Sequence, residues 1–280
     1  MILLSIFFIA NFPIFVKIMV YGDSMTKNPY DPNKPYNSFV GRKNLIKKIL
    51  QSVKCQNSVA ILGGSKIGKT SILEKIRDEI RQQNGSKCKT YACLIRMDII
   101  NSSSEEAIYQ KIIELLSSET GYNSSSFISW LLNKERSIFT SRFINKDPSD
   151  PYDIFKKKIK CIIETTKKKL KEKDLNIVIM IDKIGNADLP QNSKFYCCLR
   201  DFFSQSNYYS THCTLVATGG REFKDLIQDT SKFSFLETKY LEVLNTEDAM
   251  ELINIGFSSK SDDFKNEIIN ITGGHPFLTF

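Results

Sequence analysis

The stretch at residues 59–71, Val-Ala-Ile-Leu-Gly-Gly-Ser-Lys-Ile-Gly-Lys-Thr-Ser, constrains the fold of this chain more than any other. It ends with the G-x-x-x-x-G-K-[ST] spacing of a phosphate-binding loop. In such a loop backbone N–H groups surround phosphate oxygens, the lysine holds the β- and γ-phosphates, and the hydroxyl holds Mg²⁺. An ordinary glycine-rich turn has no use for a lysine and a hydroxyl at these two positions. The predicted nucleotide-binding residues of the loop are Gly63, Gly64, Ser65, Lys66, Ile67, Gly68, Lys69, Thr70 and Ser71.

The residues on either side of the loop agree with this interpretation. Residues 58–62 are apolar and partly β-branched, which is typical of a buried parallel strand. Residues 71–82 carry apolar side chains at helical spacing. The order strand, glycine loop, helix is the one that a phosphate-binding loop requires, because the helix N-terminus then faces the phosphates.

A second apolar stretch, at residues 176–182, ends in Asp182. In open α/β sheets ligands bind at the carboxyl ends of the strands, and a carboxylate there can complete the oxygen shell of Mg²⁺ together with Thr70. We therefore expect Thr70 and Asp182 at the metal, and Lys69 and Asp182 among the catalytic residues. Without the phosphate-binding loop, an apolar strand ending in aspartate would carry no functional meaning.

Three further apolar runs, at residues 91–100, 213–218 and 236–244, also resemble buried strands. Helical patterns separate the strands, so the sequence predicts a doubly wound, mostly parallel five-stranded α/β sheet. The predicted helices begin near Leu45 and at residues 71, 105, 127, 151, 194, 245 and 262, and another is expected to open at His275-Pro276.

Composition narrows the class of protein. With 280 residues, 41% of them hydrophobic and 25% charged, the chain can bury a sizeable core. Seven cysteines without a C-x-x-C pair and only two histidines indicate neither a zinc site nor a disulfide framework, which fits a reducing cytosol. The net charge of +8 is spread along the chain, although the helix predicted at residues 151–173 is rich in lysine. That helix has either a solvated basic face or a surface for nucleic acid or anionic lipid.

The first residues are apolar but interrupted by Asn11, Pro13 and Lys17. Three interpretations remain open: an upstream extension with the functional start near Met25, a signal-anchor in residues 1–20 that leaves the rest cytoplasmic, or a cleaved secretory signal. An extended, proline-rich arm follows at residues 25–41, because prolines at 29, 32 and 35 prevent a helix.

The chain resembles STAND-type ATPases, the signal-transduction branch of the AAA-like P-loop NTPases. The resemblance rests on Asn-Pro-Tyr at residues 28–30, on Phe-Val-Gly-Arg at residues 39–42 ahead of the phosphate-binding loop, and on Gly-Gly-His-Pro-Phe at residues 273–277. It implies strand order 5-1-4-3-2 and a γ-phosphate sensor at Thr218 or, less directly, Arg221. It also implies further nucleotide contacts from the arm and from a helical lid, by residues Phe39, Val40, Gly41, Arg42, His275 and Pro276.

One residue departs from that family. Hydrolysing members usually carry an acidic residue directly after the aspartate of the second motif, and here that residue is Lys183. A protonated lysine cannot accept a proton from the attacking water, and a general base typically contributes about 10² to 10⁴ in rate. ATP hydrolysis should therefore be slow or absent unless Asp98, at the end of the neighbouring predicted strand, acts as the base.

These patterns divide the chain into an apolar leader (1–24), a nucleotide-contacting arm (25–41), a P-loop core (42–244) and a lid that the chain truncates (245–280). The leading hypothesis is a cytoplasmic, Mg²⁺-dependent ATP/ADP-binding switch that acts in signal transduction and self-associates or meets a partner protein through further C-terminal domains. Two alternatives remain: an origin-recognition or helicase-loader-like AAA ATPase that uses the lysine-rich helix on DNA, and a non-catalytic scaffold with a vestigial pocket.

Overall fold

The computed structural model describes residues 39–82, 88–100, 104–122, 150–171, 174–186, 189, 193–204, 207–228 and 233–278. The apolar leader, the arm up to residue 38 and most of the segment that holds the predicted helix at residue 127 lie outside these ranges. Among the described residues, no helix has the length and apolar character that crossing a membrane demands.

The described chain is built on five parallel strands. Their bounds are β1 Val59–Gly63, β2 Cys88–Arg96, β3 Asp174–Asp182, β4 Cys213–Gly219 and β5 Glu237–Leu241. They lie in the order β2-β3-β4-β1-β5, which is the predicted order 5-1-4-3-2 counted from the other edge. The predicted α/β P-loop NTPase fold is therefore confirmed. The central strands are covered on both faces, and for this reason their sequences are almost continuously apolar.

Helices cover both faces of the sheet. Their bounds are α1 Lys43–Lys54, α2 Lys69–Gln82, α3 Glu105–Thr120, α4 Pro151–Lys169, α5 Lys194–Phe203, α6 Arg221–Gln228, α7 Thr246–Phe257 and α8 Asp262–Thr272. Helices α1 and α2 pack against one face, and helices α3 to α6 pack against the other. Two short 3-10 turns, Met97–Ile99 and Ile184–Asn186, follow β2 and β3.

Three details differ from the sequence-based expectation. Helix α4 ends at Lys169 rather than at residue 173, because Lys171 has a positive φ of 50° that an α-helix cannot continue. Helix α6, which buries Phe223 and Leu226, was not predicted, because its eight residues are fewer than the roughly 10–12 over which a helical pattern is recognised. The helix expected at His275-Pro276 is a single turn in the described residues, closed by the N–H of Leu278 donating to the His275 carbonyl at 3.0 Å.

Helices α7 and α8 form a small unit beyond β5, which we call the lid. Gly273 ends α8 in a left-handed conformation (φ 58°), as the sequence predicts. The chain after α8 returns to the end of the sheet domain, where the Leu244 N–H donates to the Gly274 carbonyl at 2.9 Å. The lid has its own small buried cluster of Leu244, Ala249 and Leu252, against which Val40 and Ile269 pack.

Candidate nucleotide-binding site

The phosphate-binding loop lies between the end of β1 and the start of α2. Gly63 is the last strand residue and Lys69 is the first helical one, so residues 64–68 form the turn between them. Gly68 has a φ of +97°, and a Cβ atom there would lie 2.8 Å from the Arg42 guanidinium. The backbone conformation therefore favours glycine at this position, whereas the Arg42 guanidinium is the end of a flexible side chain and could shift.

The Lys69 ammonium folds back over the loop. Its Nζ donates to the Gly63 carbonyl at 3.0 Å and to the Gly64 carbonyl at 2.5 Å. Burial lowers the pKa of Lys69; the charge of Asp182 opposes this shift and the nearby charge of Lys183 adds to it. Lys69 is thus a half-buried cation close to Asp182 and Lys183 at the end of β3. The oxygens of a bound phosphate would be better acceptors for its ammonium than the two backbone carbonyls are.

Asp182 is the centre of a hydrogen-bonded cluster at the carboxyl edge of the sheet. The Thr70 hydroxyl donates to its Oδ2 at 2.6 Å and the Thr218 hydroxyl donates to its Oδ1 at 2.5 Å. The Lys183 N–H in turn donates to the Thr218 hydroxyl oxygen at 3.2 Å. Asp182 and Thr218 have no exposed surface. The strand order explains this arrangement, because β4 lies between β3 and β1 and brings Thr218 beside both neighbours.

The donor set of this cluster suits Mg²⁺. One carboxylate and one hydroxyl 2.6 Å apart are the protein ligands that this ion takes when water and nucleotide phosphates supply the rest. No group of three or more His, Cys, Asp or Glu side chains able to hold a metal occurs in the described part of the chain. A Mg²⁺ site that depends on a bound nucleotide does not need such a group.

The end of the arm connects the phosphate-binding loop to the lid. Gly41 has a φ of +75°, and a Cβ atom there would collide with the Asp248 side chain of α7. The Arg42 N–H donates to Asp248 Oδ2 at 3.1 Å, and the Arg42 guanidinium donates to the Glu242 carbonyl at 3.1 Å. Burial lowers the pKa of Arg42 to about 10, against the opposing charge of Asp248, so the side chain stays cationic at neutral pH.

The other two arm residues pack in different places. Phe39 packs against the buried cluster of α1 and α2, whereas Val40 packs against the lid cluster. The four residues predicted to contact nucleotide at the end of the arm and the start of the core, Phe39, Val40, Gly41 and Arg42, therefore lie between the sheet domain and the lid. Neither Asp248 nor the Glu242 carbonyl was predicted as their partner, because both lie about 200 residues further along the chain.

The lid turn also reaches the loop. The Lys66 ammonium lies over the Phe277 ring, 3.7 Å from its centroid, so a predicted loop residue contacts the residue that follows His275 and Pro276. Both His275 and Pro276 are partly buried. The sequence indicated His275 and Pro276 but not Phe277, whose only signal was its place in the Gly-Gly-His-Pro-Phe motif.

The two remaining candidates occupy different positions. Asp98, named as a substitute base, accepts a hydrogen bond from Lys183 Nζ at 2.6 Å, so in this structure its carboxylate is paired with a lysine. Arg221 is the exposed first residue of α6. Of the two suggested phosphate sensors, only Thr218 belongs to the Asp182 cluster.

The chain is similar to one protein-family model and to several solved structures. A family model described as bacterial TniB protein matches residues 43–144, which include the phosphate-binding loop and end before β3. A search of curated proteins found no match to the chain.

Solved structures match over most of the chain at low identity. Cdc6p from Pyrobaculum aerophilum is 11% identical (TM-score 0.56, 89% of this chain and 62% of that one), and a Walker-type ATPase of Pyrococcus abyssi is 13% identical (TM-score 0.55, 86% and 66%). The Aeropyrum pernix ORC1 protein, solved in complex with DNA, is 10% identical (TM-score 0.52, 89% and 60%). The chain therefore spans about two thirds or less of the length of these proteins. The likeness establishes the fold that they share with this chain.

Proposed function

We propose that this chain binds ATP or ADP with Mg²⁺ and acts as a nucleotide-controlled conformational switch of the STAND type. The observation that carries the proposal is the pair formed by Thr70 and Asp182, whose side chains meet at 2.6 Å beside a glycine loop although 112 positions separate them. Burying a carboxylate whose hydrogen-bond donors are two neutral hydroxyls costs stability, and ionisable groups held in this way are concentrated at functional sites. The similarity in fold to a Walker-type ATPase supports the same class.

The proposed roles follow from these positions. Lys69 holds the β- and γ-phosphates, exchanging its two carbonyl acceptors for phosphate oxygens. Thr70 and Asp182 would hold Mg²⁺, which supplies charge neutralisation at the phosphates when bound. Thr218 donates to Asp182, and through this hydrogen bond it would sense whether the γ-phosphate is present. The remaining contacts are proposed for adenine, ribose and the lid side of the nucleotide, and they come from Phe39, Val40, Gly41, Arg42, His275 and Pro276.

The switch follows from how the two sides of the site are joined. A nucleotide held by the loop on one side and by the lid turn on the other would favour one lid position, and its loss or hydrolysis would favour another. In the signal-transduction role, that movement exposes or covers a surface for self-association or for a partner protein. The P-loop core at residues 42–244 and the lid at 245–280 are the proposed moving parts.

Hydrolysis is proposed to be slow. Lys183 occupies the position after Asp182 where an acid would be expected, and Asp98, the substitute base that the sequence suggests, is paired with it. The consequence is a protein that binds ATP well and turns it over weakly, as suits a switch that must remain in one state for some time.

The test is nucleotide affinity by calorimetry on the full chain, with ATP and with ADP, in the presence and absence of Mg²⁺. Lys69→Ala should abolish ATP binding, because it removes the cation that contacts the phosphates. Lys157→Ala is the matched control, since Lys157 is an exposed lysine of α4 on the other face of the sheet, and this variant should bind ATP normally. Unchanged ATP affinity in Lys69→Ala would refute the site, and no binding by the unmutated chain would favour the vestigial scaffold.

A second candidate function is association with DNA. Helix α4 favours this function, because its Lys157, Lys168 and Lys169 are exposed. The fold of the chain is also similar to that of the Aeropyrum pernix ORC1 protein, which was solved in complex with DNA. Two lysines of α4 already have partners: Lys156 pairs with Asp153, and Lys169, although exposed, donates to the Gly121 carbonyl. Duplex binding that weakens with salt, and weakens further when lysines 167–169 are neutralised, would support this function.

We also propose that the chain lies in the cytoplasm, with or without an anchor in residues 1–20.

A further inference from the structure

Hydrolysis of a phosphoanhydride requires a group that accepts the proton of the attacking water, and Asp182 is poorly suited to this role. Both of its carboxylate oxygens already accept short hydrogen bonds, one from Thr70 and one from Thr218, and the side chain has no exposed surface. A carboxylate in this position is better suited to holding an ion than to accepting a proton from a mobile water. If the chain hydrolyses ATP, the proton of the attacking water therefore passes to another group.

Asp98 has the position and the exposure for it. It lies just beyond β2, whose last residue, Arg96, is paired in register with Asp182 on β3. Its side chain is 32% exposed, so water can reach it. Its Oδ2 accepts from Lys183 Nζ at 2.6 Å, and Arg96 Nε lies 3.9 Å from its Oδ1. Burial by itself raises the pKa of Asp98, but the hydrogen bond and the charge of Lys183, with that of Arg96, outweigh burial and lower it.

Lys183 has a second possible partner when a nucleotide is present. Lys183 directly follows Asp182, whose carboxylate accepts a hydrogen bond from Thr70 at 2.6 Å, so Lys183 lies at the same edge of the sheet as the phosphate-binding loop. The pair with Asp98 is partly exposed, at 36% and 32% for the two side chains, and pairs of this kind contribute little to stability. A triphosphate next to Lys69 would therefore compete with Asp98 for the same ammonium.

We propose that Asp98 is the catalytic base of this chain and that Lys183 restrains it, releasing it for the part of the time that the ammonium turns to the triphosphate. In the released state the water oxygen bonds to the γ-phosphorus, the water proton passes to the Asp98 carboxylate, and the bond from the γ-phosphorus to the bridging oxygen breaks to leave ADP and phosphate. The turnover rate then follows the fraction of time that Lys183 spends away from Asp98. This inference rests on the proposed nucleotide site.

The first measurement is single-turnover ATP hydrolysis in a set of four proteins: the unmutated chain, Lys183→Met, Asp98→Asn and the double variant. Lys183→Met keeps most of the side-chain volume and removes the charge. It should raise the rate about 10-fold or more, because a free general base is worth about 10² to 10⁴. Asp98→Asn should abolish turnover, and the double variant should match Asp98→Asn. A double variant that keeps the gain of Lys183→Met would overturn the assignment of Asp98.

The second measurement is independent of activity. Competition for Lys183 predicts that Asp98→Asn tightens ATP binding by about 2- to 5-fold. The reason is that the Lys183 ammonium no longer has to leave a partly exposed ion pair with Asp98 before it contacts the triphosphate. ADP, which lacks the γ-phosphate, should bind with unchanged affinity. The gain for ATP should disappear in the double variant, which a merely structural role of Asp98 would not predict. Equal effects on ATP and ADP would contradict the competition, whereas loss of all nucleotide binding in the unmutated chain would instead sink the proposed function.

Discussion

The sheet side and the lid side of the candidate site differ in how firmly they are held. On the sheet side, β3 is buried from Leu175 to its end, and Asp182 has both carboxylate oxygens hydrogen-bonded. On the lid side, the described residues form one small buried apolar cluster of Leu244, Ala249 and Leu252, and Ile253 and Ile268 are also buried. Other apolar side chains of the lid, Ile255, Ile271 and Leu278, are left exposed.

This difference matters because a switch needs one fixed half and one half that can move at modest cost. Among the described residues, the Lys66–Phe277 pair joins the lid to the loop, and the Arg42–Asp248 hydrogen bond and the packing of Val40 join it to the end of the arm. The Leu244–Gly274 hydrogen bond joins the lid to the segment that follows β5. Contacts of these kinds typically contribute about 0.5–1.5 kcal/mol each. A bound nucleotide that prefers one lid position by a few kcal/mol could therefore set it.

The largest expected effect is a difference in free energy of unfolding between a core substitution on the sheet side and the matched substitution in the lid. Leu73→Ala removes a fully buried side chain from α2 and should cost about 2–5 kcal/mol of global stability. Leu252→Ala, the matched change in the lid, should leave the unfolding of the sheet domain nearly unchanged and reduce amide-exchange protection in residues 246–272. Denaturant unfolding with hydrogen exchange measures both, and a global loss from Leu252→Ala would mean that the lid and the sheet unfold as one unit.

Next in size is the effect of the buried carboxylate. Asp182→Asn keeps the shape of the side chain but removes the charge that would hold Mg²⁺, so ATP affinity in the presence of Mg²⁺ should fall by at least about 10-fold. Affinity measured without Mg²⁺ should change much less. Calorimetry in the two conditions gives both values, and an equal loss in both would assign Asp182 a structural role only.

The arm gives a smaller effect, through backbone geometry. Gly41→Ala places a Cβ atom against Asp248 at a φ of +75°, and the strain should cost roughly 1–3 kcal/mol and loosen the lid. Gly121→Ala is the control, because its φ is also positive (+62°) but the space around it is open. Thermal unfolding of the two variants compares them. An equal loss of stability would show that the close approach to Asp248 contributes nothing beyond backbone strain.

The smallest effect is expected at the contact between loop and lid. Phe277→Leu keeps an apolar side chain but removes the aromatic face under the Lys66 ammonium, which is worth about 0.5–1 kcal/mol at an exposed site. ATP affinity should therefore change by about 2- to 5-fold, with global stability unaffected. A change in stability without a change in affinity would argue that this contact only packs the lid.

Much of the sheet side could be predicted from the sequence. The phosphate-binding loop is encoded in consecutive residues, and the apolar run before Asp182 predicts a buried strand that ends at the ligand-binding edge. The end of helix α8 in the lid was also predicted, because the helix stops at Gly273 as the sequence indicates. Helix α6 was missed because its eight residues are fewer than the roughly 10–12 over which a helical pattern is recognised.

The sequence by itself determined the local elements: which runs are strands, where the phosphate-binding loop bends, and which carboxylate ends β3. These depend on residues close together in the chain, through apolar periodicity and the conformational freedom of glycine. Only the tertiary structure decided that Lys183 pairs with Asp98, that Arg42 bonds to Asp248 and that Lys66 meets Phe277. Those contacts join residues 85 to more than 200 positions apart, and they depend on strand order, helix packing and side-chain direction, which no local pattern records.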